Sequence, residues 1–447
     1  MIRRFSFLFV LAFALAACTG GNDATTTTTR PTPTTSDVPG TTTTTSGGVT
    51  TTSEAVASTT TAPDLSGLEG LSDQVRDQLE TLIREAQEIR DLPFLSPPQI
   101  RVVTEDELEA QVRADIEEQS EDFPPDEALY KMLGLLNEAA DFEQIVLDLY
   151  GEQVAGYYDG ETGEIVIPAH EDGLTVLQRG TLLHELVHAL TDQHFSFHET
   201  FRTMIDEDRL DEASAYQALI EGDATLAEVL WVQRLTQREI GEFIAQSLEV
   251  DTSAFEAAPR FLTESLLFPY ETGLAFVQDI YESAGGWSDV NDAYTTLAGS
   301  TGSTEQVINP DAYRRDLPVE VEIPDVSIPG YELERTSVWG EQGFRIMLNQ
   351  GANRERVAEV AAGWGGDAYH QWYDGENAAL LIVYQGDTAR DTRALEEALL
   401  SFAMNDFPED NFAWVDQMDG KLYFIAAHDP AVGEYIRSEV GLPEPTG

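Results

Sequence analysis

The amino-acid sequence predicts an α+β protein that is mainly helical, with a small mixed or antiparallel sheet and an α/β C-terminal subdomain. Three observations predict this class. Apolar residues recur at helical spacing in several stretches of the chain. Short β-prone runs such as 99–103, 164–168 and 379–384 lie between these stretches. Residues 64–447 are also numerous enough to bury a sizeable core.

The predicted elements follow from spacing and from turn residues. A Gly-containing turn at 160–163 separates two β-prone segments and predicts a hairpin from Val154 to Ile167. Pro168 follows it and lacks a backbone donor, which places the hairpin at a sheet margin. Beyond the Pro-containing segment 318–329, helical patterns alternate with strands such as 379–384 and 422–426. The other predicted elements are helices over 71–90, 105–118, 126–136, 174–190, 211–231 and 266–281 and a strand over 99–103.

The first 18 residues have the composition of an export signal. Arg3 and Arg4 precede an apolar run, and small residues end that run immediately before Cys18. This pattern predicts a lipoprotein signal peptide over 1–18, with the lipid attached to Cys18. We therefore expect an exported protein that is lipid-anchored to the outer face of the cell membrane.

The remaining chain divides by composition. Residues 19–63 are dominated by Thr, with Ser, Gly and Pro, and predict a disordered tether. Residues 64–329 form the predicted main domain, and residues 330–447 form the predicted C-terminal subdomain. No segment after the signal has about eighteen uninterrupted apolar residues, so we expect membrane contact only through the N-terminal lipid.

Charge and cysteine content exclude several classes of function. The chain carries 81 acidic and 25 basic residues, with a net charge of −56. Such a surface repels phosphate backbones, which excludes nucleic acid as a partner. Because Cys18 is the only cysteine, neither disulfides nor thiolate metal ligands are available to the folded region. Any metal site must use histidine and carboxylate.

Residues 184–188 have the sequence HELVH, which fits the HExxH pattern of zinc sites. Residues four apart lie on one face of a helix, so His184 and His188 can reach the same ion. Glu185 lies beside them and can accept a proton from a zinc-bound water and deliver it to a leaving amine. The pattern lies in the apolar run 174–190, where charged groups need partners or a metal.

A tetrahedral zinc ion needs a third protein ligand besides two histidines and a water. Glu221, on the next long apolar helix, is one candidate. Thr225 and Glu228, on the same helix, are placed to support the ligands. His194 is the other candidate, because it lies ten residues after the first histidine. However, Thr191 stands where a chain-turning glycine is needed, and a straight helix would carry His194 about 15 Å away.

The motifs on these helices resemble those of gluzincin-like metallopeptidases in bacterial lipoproteins, over most of residues 150–400. The resemblance implies a zincin-like fold for 64–329, with the small sheet flanking the HExxH helix. It also implies His184, His188 and Glu221 as ligands of one zinc ion and Glu185 as catalytic base. The segments that carry it are 156–159, 184–188, 192–195, 221–224, 268–271, 303–306 and 363–367.

The sequence thus predicts a surface-anchored zinc metallopeptidase that hydrolyses peptide or protein substrates. In zincin folds an edge strand beside the catalytic helix binds substrate by strand addition, and the hairpin is placed to supply it. Tyr270, His198 and His194 are candidates for stabilising the oxyanion. Asp192 and Asp223 are candidates for orienting the ligand histidines.

Two other interpretations stay open. The chain could be a non-catalytic zinc-binding surface lipoprotein that acts as a scaffold or binding protein. Its C-terminal part could also bind wall polymer or protein partners through tryptophans, although tryptophans at such spacing usually lie in a core. These tryptophans are Trp339, Trp364, Trp372 and Trp414.

Overall fold

The computed structural model describes residues 71–151, 155–169, 173–299, 301–349 and 354–443. The predicted signal peptide with Cys18 and the predicted tether lie outside the described residues. Among the described helices, none has the length and apolar character needed to cross a membrane.

Helices and short strands alternate in the first part of the described chain. The helix predicted over 126–136 begins two residues earlier, with proline at its first position, and ends at Met132, shortly before Gly134 adopts a positive φ of 73°. The elements are α1 (Asp73–Arg90), β1 (Gln99–Val103), α2 (Glu105–Gln119), a 3₁₀ turn (Ser120–Asp122), α3 (Pro124–Met132), α4 (Phe142–Gly151), β2 (Tyr157–Asp159) and β3 (Glu164–Pro168).

The three strands of this region form one small mixed sheet in the order β1-β3-β2. β1 pairs with β3 in parallel, and β2 pairs with β3 in antiparallel register, with Tyr158 opposite Ile165. The prediction that the hairpin lies at the sheet margin is therefore correct for β2, which is an edge strand. It is wrong for β3, which is the central strand. The sheet packs beside the helix that carries the HExxH motif, as the sequence predicts.

A layer of helices follows the sheet, and two of them carry the candidate site. α5 begins after Thr175, whose hydroxyl and backbone form a capping box with Gln178. It runs on to Phe195, five residues past the predicted end, and stops where Ser196 turns to a φ of +50°. The helices are α5 (Val176–Phe195), α6 (Phe197–Asp206), α7 (Leu210–Val232), α8 (Gln237–Ser247), α9 (Ser253–Ala257), α10 (Arg260–Ala284), α11 (Ser288–Leu297) and α12 (Thr304–Ile308).

Two glycines allow α7 and α10 to cross at close range. A Cβ atom on Gly222 would lie 2.2 Å from the carbonyl oxygen of Gly273, and one on Gly273 would lie 2.1 Å from that of Ala218. The sequence suggests that Gly222 brings its helix close to the HExxH helix. That interpretation is wrong, because Gly222 faces α10, while α5 approaches α7 at Gly180.

The C-terminal region folds around a five-stranded sheet in the order β4-β5-β6-β8-β7, with every pairing antiparallel. Helices and strands alternate as expected, but all four strand pairings are antiparallel and two of them, β5 with β6 and β7 with β8, are hairpins, so the region is of α+β rather than α/β type. Asp419 and Gly420 have φ of 54° and 82° and link β7 to β8 in a two-residue turn. The elements are β4 (Glu332–Ser337), α13 (Gly340–Leu348), α14 (Arg354–Ala361), β5 (Trp364–Tyr373), β6 (Ala378–Gly386), α15 (Ala389–Asn405), β7 (Phe412–Met418), β8 (Lys421–Ala427) and α16 (Pro430–Glu439).

The tryptophans of this region lie mostly in its core. Trp364 and Trp372 are each 1% exposed and pack on opposite faces of the sheet. Trp339 and Trp414 are half-buried. The interpretation that the spacing favours, tryptophans in a core, is therefore confirmed for the first two. A register shift between Trp364 and Gly366 interrupts the alternation of β5 and allows the two rings to lie on opposite faces.

Candidate metal centre

Three predicted ligands converge where α5 meets α7. Both histidines direct Nε2 at the same oxygen: Glu221 Oε2 lies 3.4 Å from His184 Nε2 and 3.6 Å from His188 Nε2. One ligand atom from each residue lies within 4.8 Å of the others. Residues that are 37 positions apart in sequence thus form a group that could hold a metal ion.

Burial gives these ligands the electrostatics of a metal site. His184 and His188 are 0% exposed, and Glu221 is 1% exposed. Burial lowers the pKa of His184 to about 3, and burial together with His184 lowers that of His188 well below its usual range. Both imidazoles are therefore neutral, as metal ligation requires. Burial, followed by the charge of Glu185, raises the pKa of Glu221 well above its usual range, so a nearby cation would be needed to stabilise its carboxylate.

Glu185 lies next to this group and is also fully buried. Burial raises its pKa well above the usual range, the backbone amide of Tyr158 opposes that shift, and the charge of Glu228 adds to it. Tyr158 belongs to the edge strand β2, so this strand lies next to Glu185. A carboxyl group with a raised pKa beside a metal site is suited to proton transfer.

Glu228 lies next to the His184 ring, on the side that carries Nδ1. Its Oε2 lies 3.8 Å from His184 Nδ1, on the side of the ring away from Glu221. This position favours the tautomer that leaves Nε2 for a metal. Thr225, the other supporting residue suggested by the sequence, is buried, and its hydroxyl has no hydrogen-bond partner among the described residues.

Among the described residues, neither Asp192 nor Asp223 forms a hydrogen bond with the candidate ligand histidines. Asp192 accepts from the Tyr158 hydroxyl at 2.8 Å and from the His198 backbone at 2.9 Å, which ties β2 and α6 to the end of α5. Asp223 accepts two hydrogen bonds from Arg90, at 2.7 and 3.0 Å. Their contribution to the site is therefore the placement of strands and helices.

Sequence reasoning missed the groups that hold Asp223, two residues from Glu221. Arg90 ends α1, is 0% exposed and stacks 4.3 Å from the centre of the Trp287 ring. The Tyr294 hydroxyl donates to Asp223 at 2.8 Å. The available signal was Asp223 itself, because a carboxylate inside an apolar helix requires a buried donor.

His194 lies away from the metal group, because α5 continues unbroken beyond His188. Its Nε2 is 2.8 Å from the carbonyl oxygen of Pro93. His198 packs against the turn between β2 and β3, where a Cβ atom on Gly160 would clash with the imidazole. Of the three residues suggested for oxyanion stabilisation, Tyr270 has its ring next to the site, with its centroid 6.4 Å from that of His184.

Tyr270 also lines a cavity of about 280 Å³ between the helices and the C-terminal region. The cavity walls are mainly aromatic and aliphatic, with contributions from Tyr130, Phe261, Trp339 and Met347. Pro269, inside α10, immediately precedes Tyr270 and removes a helix hydrogen bond at that point. Tyr270 thus lies between the cavity and the candidate metal group.

Residues 364–367 have the sequence Trp-Gly-Gly-Asp, and the aspartate of this segment caps a helix. Asp367 accepts hydrogen bonds from the backbone of Trp339 at 2.7 Å and of Gly340 at 3.0 Å, and from Trp364 Nε1 at 2.7 Å. These donors include the first backbone amides of α13. The carboxylate therefore stabilises the start of that helix.

Comparison with known proteins adds little about chemistry. A family model described as a domain of unknown function (DUF8575) matches residues 330–428. Neither the curated proteins nor the solved structures contain a significant match to the chain. The matched segment runs from the start of β4 through β8 and excludes both helices of the metal group.

Proposed function

We propose that this protein is a zinc-dependent metallopeptidase of the gluzincin type, with a zincin-like domain over 64–329. One observation carries the proposal: two Nε2 atoms on α5 and one carboxylate oxygen on α7 converge, fully buried, beside a further glutamate. In the same proposal the protein is exported and anchored through lipid on Cys18, and it acts on peptides or proteins outside the membrane.

The ligand set fits zinc. Two neutral imidazoles and one carboxylate are a known catalytic set, and they leave a fourth position for water or substrate. Zinc held by these three ligands would polarise a peptide carbonyl and lower the pKa of the attacking water. His184, His188 and Glu221 would hold the ion, and Glu228 would keep the His184 ring in its ligating tautomer.

Glu185 would perform the proton transfers. Its raised pKa suits a group that takes a proton from the attacking water and then gives it to the leaving nitrogen. The strand β2 would bind the substrate backbone, because it is an edge strand and lies next to Glu185. Tyr270 would donate to the developing oxyanion and would also separate the site from the adjacent cavity.

One observation favours a second candidate, a non-catalytic zinc-binding scaffold. The ligands are 0–1% exposed, and closed metal sites are typical of structural zinc. The position of Glu185 favours the enzyme, since a buried glutamate beside a structural ion would only add an electrostatic cost. The two candidates differ in whether Glu185 is needed for turnover.

The first test is metal content. We expect mass spectrometry to find one zinc ion per full-length chain in the wild type and in His194→Ala, and none in Glu221→Ala. His194→Ala is the matched control, since it removes the competing ligand candidate from the same region. Absence of zinc from the wild type, even after addition of the metal, would exclude both candidates.

The second test is turnover. Glu185→Gln should keep zinc and the melting temperature while peptide hydrolysis falls by about 10² to 10⁴. A broad peptide library read by mass spectrometry provides the assay. If the zinc-loaded wild type cleaves nothing in that library, the scaffold is the better description.

A further inference from the structure

The cavity beside Tyr270 takes no part in the proton transfers of the proposed peptidase chemistry. Its walls come from two parts of the chain. Residues of α3, α7 and α10 supply one side, and α13 with the residues before it supplies another. The second side lies within residues 330–428, which match the domain of unknown function. The helical region and the C-terminal region therefore form the cavity together.

The size of the cavity fits one side chain rather than a large ligand. Its volume is about 280 Å³, and an apolar cavity of about 150 Å³ is enough to admit benzene. Pockets for larger molecules typically span about 300 to 1,000 Å³. A phenyl, phenol or indole group therefore has room in the cavity, next to aromatic walls at Tyr130, Phe261 and Trp339.

The charged residues that line the cavity already have partners. Arg335 donates to Asp126 at 2.8 Å. Asp211 accepts from both the backbone amide and the hydroxyl of Thr304. The described residues of the lining include no other Asp, Glu, Lys or Arg. A charged group would lose its hydration there without gaining a counter-ion, so the cavity selects an uncharged, apolar group.

Two helices carry the cavity toward the metal group. Ser214 and Gln217 line it on α7, and Glu221 follows Gln217 by one turn on the same face. Tyr270 lines it on α10, with its ring centre 6.4 Å from that of His184. A peptide with its carbonyl bound at a zinc ion would therefore place a neighbouring side chain in the cavity.

We propose that this cavity binds an aromatic side chain of the peptide substrate, and that the C-terminal region thereby determines substrate specificity. This substrate class rests on the proposed peptidase function, since the cavity acts as part of the same site. α13 supplies Ile346 and Met347 to the lining. Burial of a side chain as large as Phe favours it over Ala by about 10- to 100-fold in kcat/KM.

The peptide library of the turnover test also measures this preference. We expect Phe, Tyr and Trp to be enriched on one side of the bond that the zinc-loaded wild type cleaves. Ser214→Phe fills the cavity from α7, and Ile346→Trp fills it from α13. Each should lower kcat/KM for Phe-containing peptides at least tenfold, with little change for peptides that have Ala at that position. Ser401→Phe, at an exposed position of α15, should cleave as the wild type does.

Zinc content and melting temperature show whether each variant folds with its metal group intact. If Ser214→Phe does not fold, Ile346→Trp at its half-buried position decides the test. Two results would overturn the assignment of the cavity and leave the peptidase proposal standing. One is cleavage by the wild type without an aromatic preference, and the other is a preference that the cavity variants retain.

A second measurement decides the case in which the library is not cleaved and the peptidase proposal falls. Fluorine NMR titration with N-acetyl-para-fluorophenylalaninamide detects weak binding without turnover. Saturable binding to the wild type and to Ser401→Phe, weakened at least tenfold in Ser214→Phe and Ile346→Trp, would support the cavity as a site for aromatic side chains. Absence of saturable binding, or equal binding by all four proteins, would overturn it.

Discussion

Glu228 has no place in the HExxH pattern, yet it lies directly behind His184, a proposed metal ligand. Its carboxylate is 3.8 Å from His184 Nδ1, and removal of such a partner typically lowers metal affinity 10- to 100-fold. We expect Glu228→Ala to weaken zinc binding by about that factor, measured by competition with a chromophoric chelator. Glu228→Gln keeps an acceptor and should lose less.

Other roles for Glu228 would give a different pattern of zinc affinities in these two variants. If Glu228 only fills space, the isosteric Gln variant should bind zinc as tightly as the wild type. If its charge alone matters, the Gln and Ala variants should lose the same affinity. A graded loss identifies the carboxylate oxygen near His184 Nδ1 as the important feature.

Burial of Asp211 predicts a pH-dependent stability that is separate from the candidate metal centre. It is 5% exposed, and burial raises its pKa to about 7 despite the hydrogen bonds that it accepts from Thr304. The folded protein therefore binds this proton more tightly than the unfolded chain does. The resulting stabilisation, up to about 4 kcal/mol, is complete below pH 4 and is lost as the pH rises through about 7.

Asp211→Asn keeps a neutral side chain at every pH. We therefore expect the unfolding free energy of the wild type to fall relative to that of the variant between pH 5 and pH 8. Urea unfolding followed by tryptophan fluorescence measures both curves. Parallel curves over that range would show that Asp211 does not hold its proton in the folded protein.

At the residue scale, the sequence predicts what local spacing controls. His184, Glu185 and His188 lie within five residues on one helix, and Glu221 was a candidate as a glutamate on the next apolar helix, where the resemblance to gluzincins implies the third ligand. Arg90 was not predicted, because the residue that pairs with Asp223 across 133 positions is decided by tertiary packing.

At the element scale, the crossing of α7 and α10 positions Glu221. Gly222→Ala would place a methyl group 2.2 Å from the Gly273 carbonyl oxygen, and one helix would have to move. Overpacking of this kind costs about 1–3 kcal/mol and would also displace the adjacent ligand. We expect a lower melting temperature and weaker zinc binding.

Gly241 provides the matched control for that substitution. It lies within α8, and a Cβ atom there would meet nothing within 4 Å. Gly241→Ala should therefore stabilise the protein by about 0.5–1 kcal/mol through helix propensity, with unchanged zinc binding. Equal effects of the two substitutions would contradict the role given to the crossing.

Helices were predicted more accurately than their packing. The apolar periodicity of α5 and α7 indicated both elements, and the absence of a glycine at Thr191 correctly predicted that α5 would carry His194 away from His184. The partner of Gly222 was predicted wrongly, because a glycine shows that a close approach is needed but not which helix approaches.

At the scale of the whole molecule, charge is the dominant unbalanced feature. A net charge of −56 produces self-repulsion that is relieved on unfolding, and salt screens it. We expect the melting temperature to rise as NaCl increases from about 0.01 M to about 0.5 M, where the Debye length shortens from about 30 Å to a few ångströms. Scanning calorimetry at fixed pH measures this effect.

The alternative result would also be informative. A melting temperature that is independent of salt would mean that the ion pairs of the folded protein offset the repulsion. Buried pairs such as Arg335 with Asp126, 2.8 Å apart, are the ones that salt would affect least. Whether the melting temperature rises with salt therefore decides whether the net charge or the local ion pairs dominate the electrostatic contribution to stability.

The enclosure of the proposed metal ligands would also limit how fast a bound ion leaves. An ion held by side chains that are 0–1% exposed can leave only when α5 and α7 separate locally. Its residence time would then follow the opening rate of the protein, and a chelator in excess would remove it no faster at higher concentration. A chain that acquires its metal while folding would keep it long after the surroundings had become poor in that metal.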